Sequence, residues 1–156
     1  MLIQLHPDNP FERTVKQVVN VLNDDGVIIF PTDTVYALAC AIDSKKGFER
    51  MCRIKRIEPR KAVFSMIADS ITMASPFLYQ LSTPVFRILN RNLPGPFTFV
   101  VRSSKQIPTH ARNSRKTISL RITHHDITRA IVSARGRPLI TTSLKSDVAA
   151  IWPADR

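Results

Sequence analysis

Glycine is scarce in this chain, with four among 156 residues, and aromatic side chains make up only 7% of it. So few aromatics exclude a platform on which successive bases stack, so any nucleic acid would be read through phosphates and shape. Cysteine is limited to Cys40 and Cys52, in neither a CxxC nor a CxxH pattern, which excludes a disulfide framework and a zinc ribbon. No GxGxxG or GxxxxGK[ST] pattern is present, so a phosphate site would need another device. The longest apolar run, Val35 to Ile42, falls far short of the ~20 residues of a membrane span. The N-terminal residues lack the basic-then-apolar order of a secretory signal. The expectation is a soluble, cytoplasmic protein with no membrane partner.

What the chain has is hydrophobic residues, at 44%, and positive charge, at +11 net. The charge is uneven. Residues 1–52 hold five basic and seven acidic side chains, whereas residues 53–156 hold 18 basic and five acidic, a net of +13. Such asymmetry suits a polyanion, whose bound counterions are released on contact, although a solubilising surface would look the same.

No repeat, linker or low-complexity run divides the chain. Phe11, Val15, Val18, Val19 and Leu22 line one face of a helix that Asp25-Gly26 ends. Val27 to Phe30 reads as a buried strand stopped by Pro31. A second helix is expected over Lys45 to Arg56, capped by Ser44, with Phe48, Met51 and Cys52 inward and an internal Gly47. Val63 to Ile67 suits a strand, Thr83-Pro84 opens a helix that stops before Pro94-Gly95-Pro96, and Phe97 to Val101 resumes as strand. Ile118, Leu120 and Ile122 alternate with polar residues, as in a strand buried on one face. Asp126 is expected to cap a helix through Ile127, Ala130 and Ile131, ended by Gly136, before a short strand at Leu139 to Thr142. The alternation predicts an α/β fold.

Two segments could carry chemistry. Pro31-Thr32-Asp33-Thr34-Val35-Tyr36 follows a buried strand, where α/β sheets bind ligands; the plainer reading is that Thr32 and Asp33 cap a following helix. Arg53, Lys55, Arg56, Arg60 and Lys61 place five cations within nine positions, more than a helix C-terminus would need for its dipole, which favours anion binding. Arg112, Arg115, Lys116 and Arg121 form a weaker cluster. His6, His110, His124 and His125 show no metal-ligand spacing and read as surface or capping residues, and no protein metal motif is visible. Ser143, beside Thr141 and Thr142, lacks the partners of a nucleophile and reads as a hydrogen-bonding or capping hydroxyl.

The order of motifs resembles one family. Gly26 to Leu38 looks like the entry motif of the YrdC-like family, the threonylcarbamoyl-adenylate synthases. It is followed in order by Ile54-Lys55, Leu93-Pro94-Gly95-Pro96-Phe97-Thr98, Ile118 to Ile122 and Pro138 to Ser143. His6-Pro7-Asp8-Asn9-Pro10, Cys52-Arg53-Ile54 and Thr142-Ser143-Leu144 are similar to the YciO branch in particular. The resemblance implies a YrdC-like domain over residues 1–146, with a divergent or truncated tail at 147–156. It implies a twisted mixed sheet with flanking helices and a basic concave surface suited to double-stranded RNA or tRNA. In the family's active members threonine, bicarbonate and ATP give threonylcarbamoyl-AMP, which feeds the modification of adenosine 37 in tRNA. There a carbamate attacks the α-phosphorus while cations and Mg²⁺ stabilise the phosphate charge.

Carried over residue by residue, Thr32, Thr34, Tyr36, Thr98, Thr141 and Ser143 are the expected substrate-binding residues. Lys55, Arg56 and Arg121 are the expected phosphate or ATP contacts, and Arg53, Arg60, Lys61, Arg115 and Lys116 the expected RNA contacts. Two departures stand out. Ile57 occupies the second cation position of the family's KxR motif, and Lys145 the asparagine of its SxN motif. The expected function is RNA binding with weak or absent threonylcarbamoyl-AMP synthesis. The alternative is an active synthase that uses ATP, Mg²⁺ and L-threonine.

Overall fold

The computed structural model describes residues 1–6 and 8–144, so the expected tail at 147–156 and Lys145 lie outside the described residues. Among the described residues five helices and six strands follow one another: α1 (Glu12–Asn23), β1 (Val27–Phe30), β2 (Ala37–Ala41), α2 (Lys45–Lys55), β3 (Ser65–Ile67), α3 (Ile71–Ala74), α4 (Thr83–Asn92), β4 (Phe99–Arg102), β5 (Thr117–Arg121), α5 (Asp126–Arg135) and β6 (Leu139–Ser143). Short 3-10 turns lie at Pro59–Lys61, Ser75–Phe77 and Thr109–Ala111. The expected α/β architecture is present. The strands form one sheet in the order β1-β2-β6-β3-β5-β4, with β3 and β5 parallel and the other neighbours antiparallel.

Register and alternation assign each side chain to a face. Leu38, Cys40, Met66, Ile140, Ile118 and Leu120 point to one face, where Phe48, Met51 and Cys52 of α2 and Leu89 of α4 complete the larger core. Ala37, Ala39, Ile67 and Leu139 point to the other, under Val15, Val18 and Leu22 of α1 and Ile127, Ile131 and Val132 of α5. Burying a leucine such as Leu22 contributes on the order of 1.5–3 kcal/mol, so these stripes hold the layers together.

Several sequence expectations are corrected. The run from Val35 to Ile42 contains an inner strand, β2, buried at all five positions, so no helix follows Thr32 and Asp33 for them to cap. Alanines that flatter a helix here serve close packing on both faces. Val63 stays exposed and the third strand begins only at Ser65, while the fourth is Phe99–Arg102 rather than Phe97 to Val101. Phe11 sits at the N-cap of α1 and is exposed, so the apolar stripe starts at Val15. Asp126 is the first residue of α5, with His125 at its N-cap and no side-chain cap bond. The short α3 had no periodic signal long enough to register.

Two local expectations are met with clear causes. Ser44 Oγ accepts the Gly47 N–H at 2.8 Å, capping α2 as expected. Gly47 itself is required by crowding: an added Cβ would lie 2.8 Å from Cys40 Cβ of β2. Gly136 ends α5 at φ +75°, in the left-handed region that suits glycine.

Candidate functional site

The segment between β1 and β2 does not stay at the sheet edge. Arg121, on β5, donates from Nη2 to Asp33 Oδ1 and to Thr34 Oγ1, both at 3.1 Å. β5 lies four strands from β1, which at about 4.8 Å per strand is roughly 19 Å. The loop therefore crosses the face of the sheet. Thr32 shapes it: its Oγ1 accepts the N–H groups of Thr34 and Val35 at 3.2 Å each and donates to Val35 O at 2.6 Å. Thr128 of α5 donates to Pro31 O at 2.5 Å, and the N–H of Leu144 donates to Tyr36 O at 3.0 Å, which pins both ends of the loop. The Tyr36 ring is largely exposed.

Beyond α1 and α5 the same sheet face turns polar. Thr141 of β6 pairs with Ser65 of β3, Ser65 with Ser119 of β5, and Ser119 with Val100 of β4, so three hydroxyl residues stand side by side. Thr141 is only 4% exposed and its Oγ1 has no hydrogen-bond partner. Extending the β4–β5 ladder by one residue sets the exposed Thr98 opposite Arg121. Thr32, Thr34, Tyr36, Thr98, Thr141, Ser143 and Arg121 thus come from the crossing loop and the face it crosses. Asp33, part of the expected turn, lies there as well, and Ser65 and Ser119 belong there too although they were absent from the expected site. Alternation within β3 and β5 was their signal, and it required the strand pairing to be known.

The cations gather at one end of the sheet. Lys55 Nζ donates to Ser143 O at 2.9 Å, tying the last residue of α2 to the end of β6 and the start of β2. Arg56 follows in the left-handed region at φ 52° as the C-cap of α2, rather than inside the helix, and its side chain is exposed, as is that of Arg53. Arg60 and Lys61 precede β3, and Arg115 and Lys116 precede β5; both strands begin at the same end as Ser143. All four are exposed, with Lys61 3.0 Å from Glu58.

Two of the expected cations are committed elsewhere. Arg112 donates to Ile107 O and Lys105 O, both at 2.7 Å, and so braces its own loop. Arg121 is paired with Asp33, each side chain 16% exposed, so its charge is already met by a carboxylate. Ile57 packs against the larger core, so its position offers no cation to a phosphate.

His110 is neither a surface nor a capping residue. Its ring packs on Phe48, and Nε2 lies 3.0 Å from Ile42 O. Burial pushes the Cys40 thiol up to about 12, which removes it as a nucleophile. Among the described residues no three His, Cys, Asp or Glu side chains are grouped to hold a metal ion, and no helix is long and apolar enough to cross a membrane.

A crossing loop rich in threonine, a hydroxyl floor and a cationic sheet end in this topology define a known class. Residues 20–153 match the Sua5_yciO_yrdC family model, described as Telomere recombination, and the chain belongs to that family. It is 36% identical over 141 residues to the uncharacterized protein YciO of Escherichia coli K12, across 90% of this chain and 68% of that one. The crystal structure of E. coli YciO superposes with a TM-score of 0.82, covering 97% of this chain and 70% of that one at 33% identity. A threonylcarbamoyl-AMP synthase of Thiobacillus denitrificans is 32% identical over 122 residues, 78% of this chain and 64% of the relative. The fold is also shared with P. abyssi Sua5 complexed with L-threonine, at a TM-score of 0.81 and 19% identity, over 92% of this chain and 42% of that one.

Proposed function

We propose that this chain binds double-stranded RNA or tRNA, and that its synthesis of threonylcarbamoyl-AMP is weak or lost. The observation that supports this best is the sheet end itself. Arg53, Arg56, Arg60, Lys61, Arg115 and Lys116 are all exposed there, next to the loop that ends in Tyr36. Cations spread over the end of α2 and two connections, α2–β3 and β4–β5, suit a phosphate backbone better than one compact triphosphate. The packing of Ile57 into the core supports the loss of synthesis, because the second cation of the family's phosphate motif is replaced by an apolar contact. Filter binding of tRNA across a salt series tests the reading. The logarithm of the binding constant should fall linearly with the logarithm of salt, with a slope reflecting at least about three phosphate contacts. Binding no tighter than that of small anions would overturn it.

The crossing loop favours a second reading, an active synthase for which ATP and L-threonine are substrates. The T. denitrificans relative carries that name, and Thr32, Thr34 and the hydroxyl floor suit a small polar substrate. Mg²⁺ would arrive with ATP, held mainly by its phosphate oxygens. Release of pyrophosphate that requires threonine and bicarbonate, and falls at least about tenfold in Lys55→Ala, would establish this reading.

A further inference from the structure

One aromatic ring stands exposed at the cationic end of the sheet. Tyr36, the residue before β2, is 61% exposed, while Ala37 behind it is buried. The backbone beneath the ring is fixed: Tyr36 O accepts the Leu144 N–H at 3.0 Å, and Ala37 pairs with Ser143 across the β2–β6 ladder. Lys55 Nζ donates to Ser143 O at 2.9 Å, so an ammonium group sits beside the strand pair that carries the ring. Val35 and Ile54, the chain neighbours of Tyr36 and Lys55, are exposed as well, which leaves apolar surface in water among the cations. Among the described residues no other aromatic ring or cation packs on Tyr36.

We propose that the Tyr36 ring is a stacking site for one unpaired base, so that the RNA this chain takes is a stem with an adjoining unpaired nucleotide. The inference rests on the RNA reading above and narrows it. The few aromatics of the chain preclude stacking of successive bases, but one exposed ring suffices for one base.

The cations give the backbone its direction. Arg60 and Lys61 lead into β3, and Arg115 and Lys116 into β5. In the sheet β2, β6, β3 and β5 are consecutive, so Tyr36 and Lys116 stand three strand spacings apart, roughly 14 Å at about 4.8 Å each. Tyr36 thus closes one end of a cationic row as long as several nucleotides of backbone. RNA whose phosphates follow that row brings a base to the ring. Inside a helix the faces of each base are covered by its neighbours, whereas an unpaired base offers a whole face to an aromatic side chain. A free phosphate or a triphosphate would use the cations and leave Val35, Tyr36 and Ile54 uncovered.

Two RNAs of equal charge test the site: a stem with one overhanging 2-aminopurine nucleotide, and the same stem with an abasic nucleotide in its place. The base should tighten binding by at least about fivefold without changing the salt slope, and 2-aminopurine fluorescence should be quenched on binding. Tyr36→Phe should keep both effects, because the face of the ring and not its hydroxyl does the stacking. Tyr36→Ala should abolish both and leave the melting temperature unmoved, since the ring is exposed. Equal, salt-dependent binding of the two RNAs overturns this inference and leaves the RNA reading standing, whereas binding of neither overturns both. A preference for the base that survives Tyr36→Ala overturns the inference as well.

Discussion

Arg121 Nη2 stands 3.1 Å from Asp33 Oδ1 although the two residues are 88 positions apart, and this pair holds the threonine loop across the sheet. Both side chains are mostly covered, so removing either leaves a charge with little solvent to replace its partner. Arg121→Met should lower stability by about 1–3 kcal/mol, and Asp33→Asn by less, because the amide oxygen still accepts a hydrogen bond. Denaturant midpoints would measure both. Hydrogen exchange at Thr34 and Val35 should rise in Arg121→Met more than exchange in α1 does.

Two groups make stability depend on acid. Burial lowers His110 from its ordinary 6.5, so below that value the unfolded chain binds a proton that the folded chain resists. Stability should therefore fall as pH drops through about 6.5, and the slope should flatten in His110→Gln. Burial pushes the Asp43 carboxyl up, but Arg135, Asp43's own backbone N–H and Arg137 outweigh it and hold the group below 3.8. The corresponding contribution is present above that value and lost as pH falls further. Thermal melts between pH 3 and 8 would show two separate declines.

The thiols should be inert in the folded state. Cys40 is buried and pushed up to about 12, and burial raises Cys52 as well. Iodoacetamide at pH 8 should leave both unmodified for as long as the protein stays folded, and alkylate both once denaturant is added. Mass spectrometry reads the outcome directly.

Charge reversal at the sheet end should separate RNA binding from folding. Arg53→Glu with Arg60→Glu alters two exposed side chains outside the core, so the melting temperature should hardly move. The affinity for tRNA should fall at least about tenfold, and the salt slope should decrease by about two. Equal losses of affinity and stability would argue that these arginines serve the fold instead.

The longer helices were legible because their stripes and caps are local: Val15, Val18 and Leu22, Ser44 before α2, and Gly136 after α5. β2 was not, because Ala37 to Ala41 is buried on both faces and shows no alternation. In the site, Thr32, Thr34 and Tyr36 were visible as a dense polar turn after a strand. Ser65 and Ser119 were hidden because their place depends on a parallel pairing between β3 and β5, 54 residues apart at Ser65 and Ser119. The pairing of Arg121 with Asp33 was equally illegible, since spacing alone cannot distinguish a free cation from one already matched.

If the threonine loop and the exposed cations form one RNA-facing surface, a single RNA must perturb both. Titration of ¹⁵N-labelled protein with an anticodon stem-loop RNA measures this. The amides of Arg53, Arg56, Arg60 and Lys61 should shift together with those of Thr34, Val35 and Tyr36, along one binding curve. Shifts confined to α1 and α5, or shifts at the cations that leave the loop unmoved, would contradict it.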